Sequence, residues 1–131
     1  MPHPTPPHDP AALLPLTPAA FHILLTLVDG ERHGYSIMQE VARSTAGTVR
    51  LGPTTLYRSI KQMLTASLIE ELEERPDPAA DDERRRYYRL TTFGLQVAAA
   101  EERRLEDVLA IARAKRLQRG DVAPRSSMGE A

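Results

Sequence analysis

Apolar residues recur at helical spacing in four stretches of the chain, and between the third and fourth the period shortens toward that of a strand. In the first stretch Phe21, Leu24, Leu25 and Val28 line one side of a helix. Thr17 can cap it with Pro18 at its first position, and Asp29-Gly30 ends it. In the second, Gly34 permits a tight entry, Tyr35, Ile37, Met38, Val41 and Ala42 carry the pattern, and Gly47 suits a C-terminal cap. A short connector, TVRLG, leads to the third stretch, GPTTLYRSIKQML (52–64), which opens on Pro53 and divides into two faces. Leu56, Ile60, Met63 and Leu64 form a buried stripe. Thr54, Thr55, Arg58, Lys61 and Gln62 form a polar face that meets either water or a specific partner.

The next residues, LIEELEER (68–75), alternate in part, and RRYYRL (85–90) is aromatic and basic. With the turn-rich PDPAADDE between them they predict a β-hairpin with a long loop. Tyr88 shares its side of the strand with Leu90 and is expected to face inward. Thr91 or Thr92 starts a last helix running to about residue 118, with Leu95, Ala98, Leu105, Val108, Leu109 and Ala112 on one side. Three alanines at 98–100 let another helix approach closely. In so small a chain, a stripe of this length is expected to be covered by the same helix of a second copy, as a symmetric homodimer.

The order helix, helix, helix, hairpin, helix predicts a mostly α fold with a small β-hairpin. Its architecture is a winged helix-turn-helix followed by a C-terminal dimerisation helix. Residues 1–18 hold seven of the eleven prolines, so 1–15 is expected to be a disordered or extended arm. The winged domain spans 16–90, the dimerisation helix 91–118, and 119–131 is a flexible tail. The third helix becomes the reading helix for the major groove of double-stranded DNA. Thr54 and Thr55 sit at its N-terminus, where free N–H groups favour a phosphate, and a threonine methyl can meet thymine. Arg58 and Lys61 can reach phosphate or guanine, and Tyr57 lies at the flank, where it can hydrogen-bond to DNA backbone or pack. Arg84, Arg85 and Arg86 in the wing suit phosphate or minor-groove contact, unless Glu73, Glu74 and the DDE run neutralise them.

Composition narrows the classes. The chain has 131 residues, 41% of them hydrophobic, which suits one domain with an ordinary core. It has no cysteine, no apolar run of membrane-spanning length and no secretory leader pattern, and is expected to be cytoplasmic with no membrane contact. His3, His8, His22 and His33 lack metal-ligand spacing, so no metal and no cofactor is expected. No nucleophile motif or phosphate-cradling glycine loop points to an enzyme. A net charge of −1 runs against the basic balance common in DNA-binding domains, but clustering at 84–89 and at 70–74 allows a basic face with an acidic back. The same acidic balance supports the alternative of a winged-helix protein-interaction module without DNA function.

Four segments, HGYSI (33–37), GPTTLYRSIKQM (52–63), LIEE (68–71) and RRYYRLTTFG (85–94), occur in an order that resembles the short branch of the PadR family of bacterial transcriptional regulators, over about 17–117. The resemblance implies a repressor that dimerises through its C-terminal helix on a partly palindromic operator and is often released by a small-molecule effector. It places DNA contact on Tyr35, Thr54, Thr55, Tyr57, Arg58, Lys61 and the wing arginines Arg84, Arg85 and Arg86. The sequence departs from the family pattern at Ala66-Ser67, where a glycine is common, and in lacking a tryptophan in the last helix.

Overall fold

The structure is a computed structural model that describes residues 9–72 and 86–117. Helix α1 (Pro18–Val28) starts where Thr17 Oγ1 accepts the Ala20 N–H at 3.1 Å. A two-residue strand, β1 (Arg32–His33), leads into α2 (Gly34–Ser44), and α3 (Pro53–Thr65) follows the connector. Strands β2 (Ile69–Leu72) and β3 (Tyr87–Leu90) precede α4 (Thr92–Ala114). The expected hairpin is present and gains a third strand. The antiparallel sheet has the order β1-β3-β2, with Arg32 opposite Tyr88 and Ile69 opposite Leu90. Two residues are too few to show a period of two, which is why β1 leaves no mark in the sequence.

The core joins α1, α2, α3, the sheet and the first part of α4. Ile23, Leu24, Ile37, Val41, Leu56, Ile69 and Val97 are its fully buried aliphatic members, each contributing about 1.5–3 kcal/mol on burial. Tyr88 is buried, as its alternation with Leu90 predicts. Two local devices set the geometry between α2 and α3. Gly47, at φ 82°, donates its N–H to Ala42 O at 2.7 Å, closing α2 in the left-handed conformation that glycine tolerates. Thr45 Oγ1 donates to Val41 O at 2.8 Å and accepts the Val49 N–H at 3.1 Å, pinning the connector to the end of α2.

Three sequence expectations change. In α1, Leu25 and Val28 are 43% and 50% exposed, and Ile23 and Leu27 take the core positions beside Leu24. The helix is apolar on most sides, so 21, 24, 25, 28 and 20, 23, 24, 27 fit the same spacing, and only packing chooses between them. In the expected arm of 1–15, Pro10–Leu13 form a short 3-10 helix capped by Asp9, and Leu13 and Leu14 pack on the core. Prolines are tolerated in a first helical turn, and the leucines add apolar area to bury. The compact unit reaches Glu101, beyond the boundary expected at 90, because the first turns of α4 bury Gly94, Val97, Ala98, Ala100 and Glu101. Residues 102–117 belong to a second unit.

Thr91 ties that first part of α4 to the sheet. Its Oγ1 accepts the Gly94 N–H at 2.9 Å and lies 2.6 Å and 3.0 Å from the carbonyls of Ser67 and Leu68, to which its hydroxyl donates. A Cβ on Gly94 would lie 2.0 Å from Leu68 O, so only glycine allows the helix to start this close to the strand.

Candidate nucleic-acid interface

The polar face of α3 is built by what its opposite face buries. Leu56, Ile60 and Met63 are locked in the core and Leu64 packs against it, which leaves Thr54, Thr55, Arg58, Lys61 and Gln62 exposed. Gly52 is the N-cap and supplies no side-chain acceptor, Pro53 occupies the first turn, and no acidic residue stands there. The first-turn N–H groups therefore have no side-chain cap, and the positive end of the helix dipole lies beside two threonine hydroxyls. One helix face thus offers two hydroxyls, an amide and two cations. That set suits phosphate oxygens and base edges rather than a metal or a reacting bond.

Tyr35, second residue of α2, is 48% exposed and stands with its side chain outward. Tyr57 takes the packing alternative of its two sequence readings. Its ring lies against Gly34, its hydroxyl is buried, and a Cβ on Gly34 would approach that oxygen to 2.6 Å. Tyr57 is a packing residue that holds α3 against the start of α2, because its position on the helix falls beside Leu56 and Ile60 rather than opposite them.

His33 has a structural part that its lack of metal-ligand spacing leaves open. Its Nδ1 accepts the Ser36 N–H at 3.1 Å and caps α2, while its ring meets the Tyr87 ring edge-on at 5.3 Å. Arg32 donates from Nε to Thr26 O at 3.0 Å and from Nη1 to Ser36 Oγ at 3.1 Å, so it braces α1 and α2. Glu40 receives a two-pronged hydrogen bond from Arg43, which holds its carboxyl below the usual range.

In the wing, Arg84 and Arg85 lie outside the described residues, as do Glu73, Glu74 and the DDE run. Arg86 is described, half-buried, and its Nη1 donates to Glu71 Oε2 at 3.0 Å. One step along, Arg89 Nε donates to Glu70 Oε2 at 2.6 Å. Neither pairing partner was foreseen, although both glutamates stand in the quoted LIEE segment; the missing signal was the strand register, which sets Glu70 opposite Arg89.

Of the residues expected to form a dimer seam, Ala98 is buried within its own chain. Leu95 is exposed in the compact unit. In the second unit Leu105, Val108 and Leu109 are exposed and Ala112 is partly buried, all at i, i+3, i+4, i+7 spacing. No helix among the described residues is long and apolar enough to cross a membrane.

Three core helices, a short antiparallel sheet and an outward polar third helix define a winged helix-turn-helix protein. The chain belongs to the PadR-like family of transcriptional regulators, whose model matches residues 23–100; these are regulators and not enzymes. It is 29% identical over 72 residues to an uncharacterized protein of Lysinibacillus sphaericus, covering 55% of this chain and 63% of that relative's length. The fold is similar to that of a transcriptional regulator from Clostridium thermocellum, with a TM-score of 0.62, 23% identity, and coverage of 73% of this chain and 87% of the other. A PadR family transcription regulator from Clostridium difficile R20291 gives a TM-score of 0.59 at 19% identity, over 73% of this chain and 95% of its own.

Proposed function

We propose that this chain is a sequence-specific DNA-binding transcriptional regulator that reads the major groove with α3. The observation that carries the reading is the exposed set Thr54, Thr55, Arg58, Lys61 and Gln62 on a helix whose other side is fixed in the core. Thr54 and Thr55 with the uncapped first turn take a phosphate; Arg58 and Lys61 take guanine edges or phosphates; Tyr35 adds a contact from α2. The wing supplies backbone contacts beside the reading helix through Arg84 and Arg85.

The chain acts in the cytoplasm as a homodimer through α4, with Leu105, Val108 and Leu109 covered by the partner copy, on a palindromic operator that matches the two-fold axis. By kinship it represses, and a small-molecule effector releases it. The compact unit reads DNA and the residues beyond Glu101 pair the subunits. The test is Arg58→Ala in operator binding. The expected loss is about 1–3 kcal/mol with unchanged thermal unfolding, and undiminished affinity would remove α3 as the reading element.

A further inference from the structure

The two ion pairs on the wing stem have little to do for the fold. Exposed pairs of this kind contribute little to stability, because solvent screens them and holding two long side chains together costs entropy. The β2-β3 register already carries buried groups, with Ile69 of β2 opposite Leu90 and Tyr88 of β3 buried. Yet both arginines of the described stem are engaged. Arg86 holds Glu71 at 3.0 Å and Arg89 holds Glu70 at 2.6 Å, with all four side chains between 35% and 52% exposed. A guanidinium in contact with a carboxylate presents no net charge beyond a few ångströms. A phosphate approaching it must displace the carboxylate and is repelled by it on the way.

We propose that Glu70 and Glu71 are specificity-determining residues that restrain the wing: they neutralise Arg89 and Arg86 and so suppress binding to DNA of arbitrary sequence. The inference rests on the DNA reading above and deepens it. Non-specific affinity comes almost entirely from phosphate neutralisation, so it is the component that masked arginines reduce most. Operator binding keeps the contacts of α3, whose first turn contains no acidic residue. The glutamates thereby widen the ratio between operator and bulk DNA rather than raise affinity for either.

The experiment uses the full chain, a duplex of its own upstream region and a scrambled duplex of equal length, with anisotropy titrations from 50 to 200 mM salt. In Glu70→Gln and Glu71→Gln, affinity for the scrambled duplex at low salt is expected to rise about three- to tenfold. The slope of log affinity against log salt should steepen by about 0.9 per freed arginine. The operator should gain less, so the ratio falls. Adding Arg86→Gln to Glu71→Gln should abolish the gain. Variants that leave affinity and slope unchanged, or that weaken binding because the glutamates merely position the arginines, overturn the proposal while the wild-type chain still binds. A wild-type chain with no affinity for either duplex removes the DNA reading, and the restraint with it.

Discussion

Single residues fix the geometry at the two junctions where elements come closest. Gly94 sits where any Cβ would be 2.0 Å from Leu68 O, and the opposing atom is backbone already bound by Thr91. Gly94→Ala is expected to destabilise by about 3 kcal/mol or more, read as a large drop in the urea midpoint. Ser67 marks the opposite case. It adopts φ 64°, a left-handed conformation that a side chain disfavours, and its side chain is exposed. Ser67→Gly should stabilise by about 0.5–1 kcal/mol in the same assay, since the relief of left-handed strain exceeds the entropy that glycine loses. The departure of Ala66-Ser67 from a glycine-bearing turn was visible in the sequence; that the strain falls on Ser67 was not, because either residue could have carried it. Tyr57 teaches the same point, as a tyrosine beside a polar face reads equally as a DNA contact or as packing until Gly34 is found beneath it.

At the level of elements, legibility followed uniqueness of pattern. In α3 the apolar positions allow one stripe only, so both faces were read correctly from 52–64. In α1 two stripes fit, and packing selects the one through Ile23, Leu24 and Leu27, leaving Leu25 and Val28 exposed. Strand β1 has no period to read, and the partners of Arg86 and Arg89 depend on a register that the long loop hides. The caps were legible where the side chain is one of the usual ones, as with Thr17, and illegible where histidine does the work, as with His33 on α2. Thr17→Ala should therefore cost about 1 kcal/mol of stability, measured by denaturant unfolding, through the loss of the 3.1 Å bond to Ala20 N–H. For α4, the exposed Leu105 and Leu109 lead to a prediction on assembly. Leu105→Asp with Leu109→Asp should yield a monomer in sedimentation velocity while the compact unit keeps its fold; a dimer that persists would place the seam elsewhere.

Over the whole molecule, a net charge of −1 and the proposed DNA-reading role are reconciled by where the charges stand. The α3 face carries Arg58 and Lys61 with no acidic residue in its first turn, whereas the described stem of the wing pairs each arginine with a glutamate. Affinity should therefore rest on a few phosphate contacts and show a modest salt dependence, with sequence preference supplied by α3. The most direct measurement is binding of the full chain to the DNA upstream of its own gene, against an unrelated duplex, by anisotropy at several salt concentrations. The account predicts tight, sequence-preferring binding whose slope is about −0.9 per phosphate neutralised, and loss of that preference in Arg58→Ala. Equal and weak binding to both duplexes, unchanged by Arg58→Ala, would contradict it.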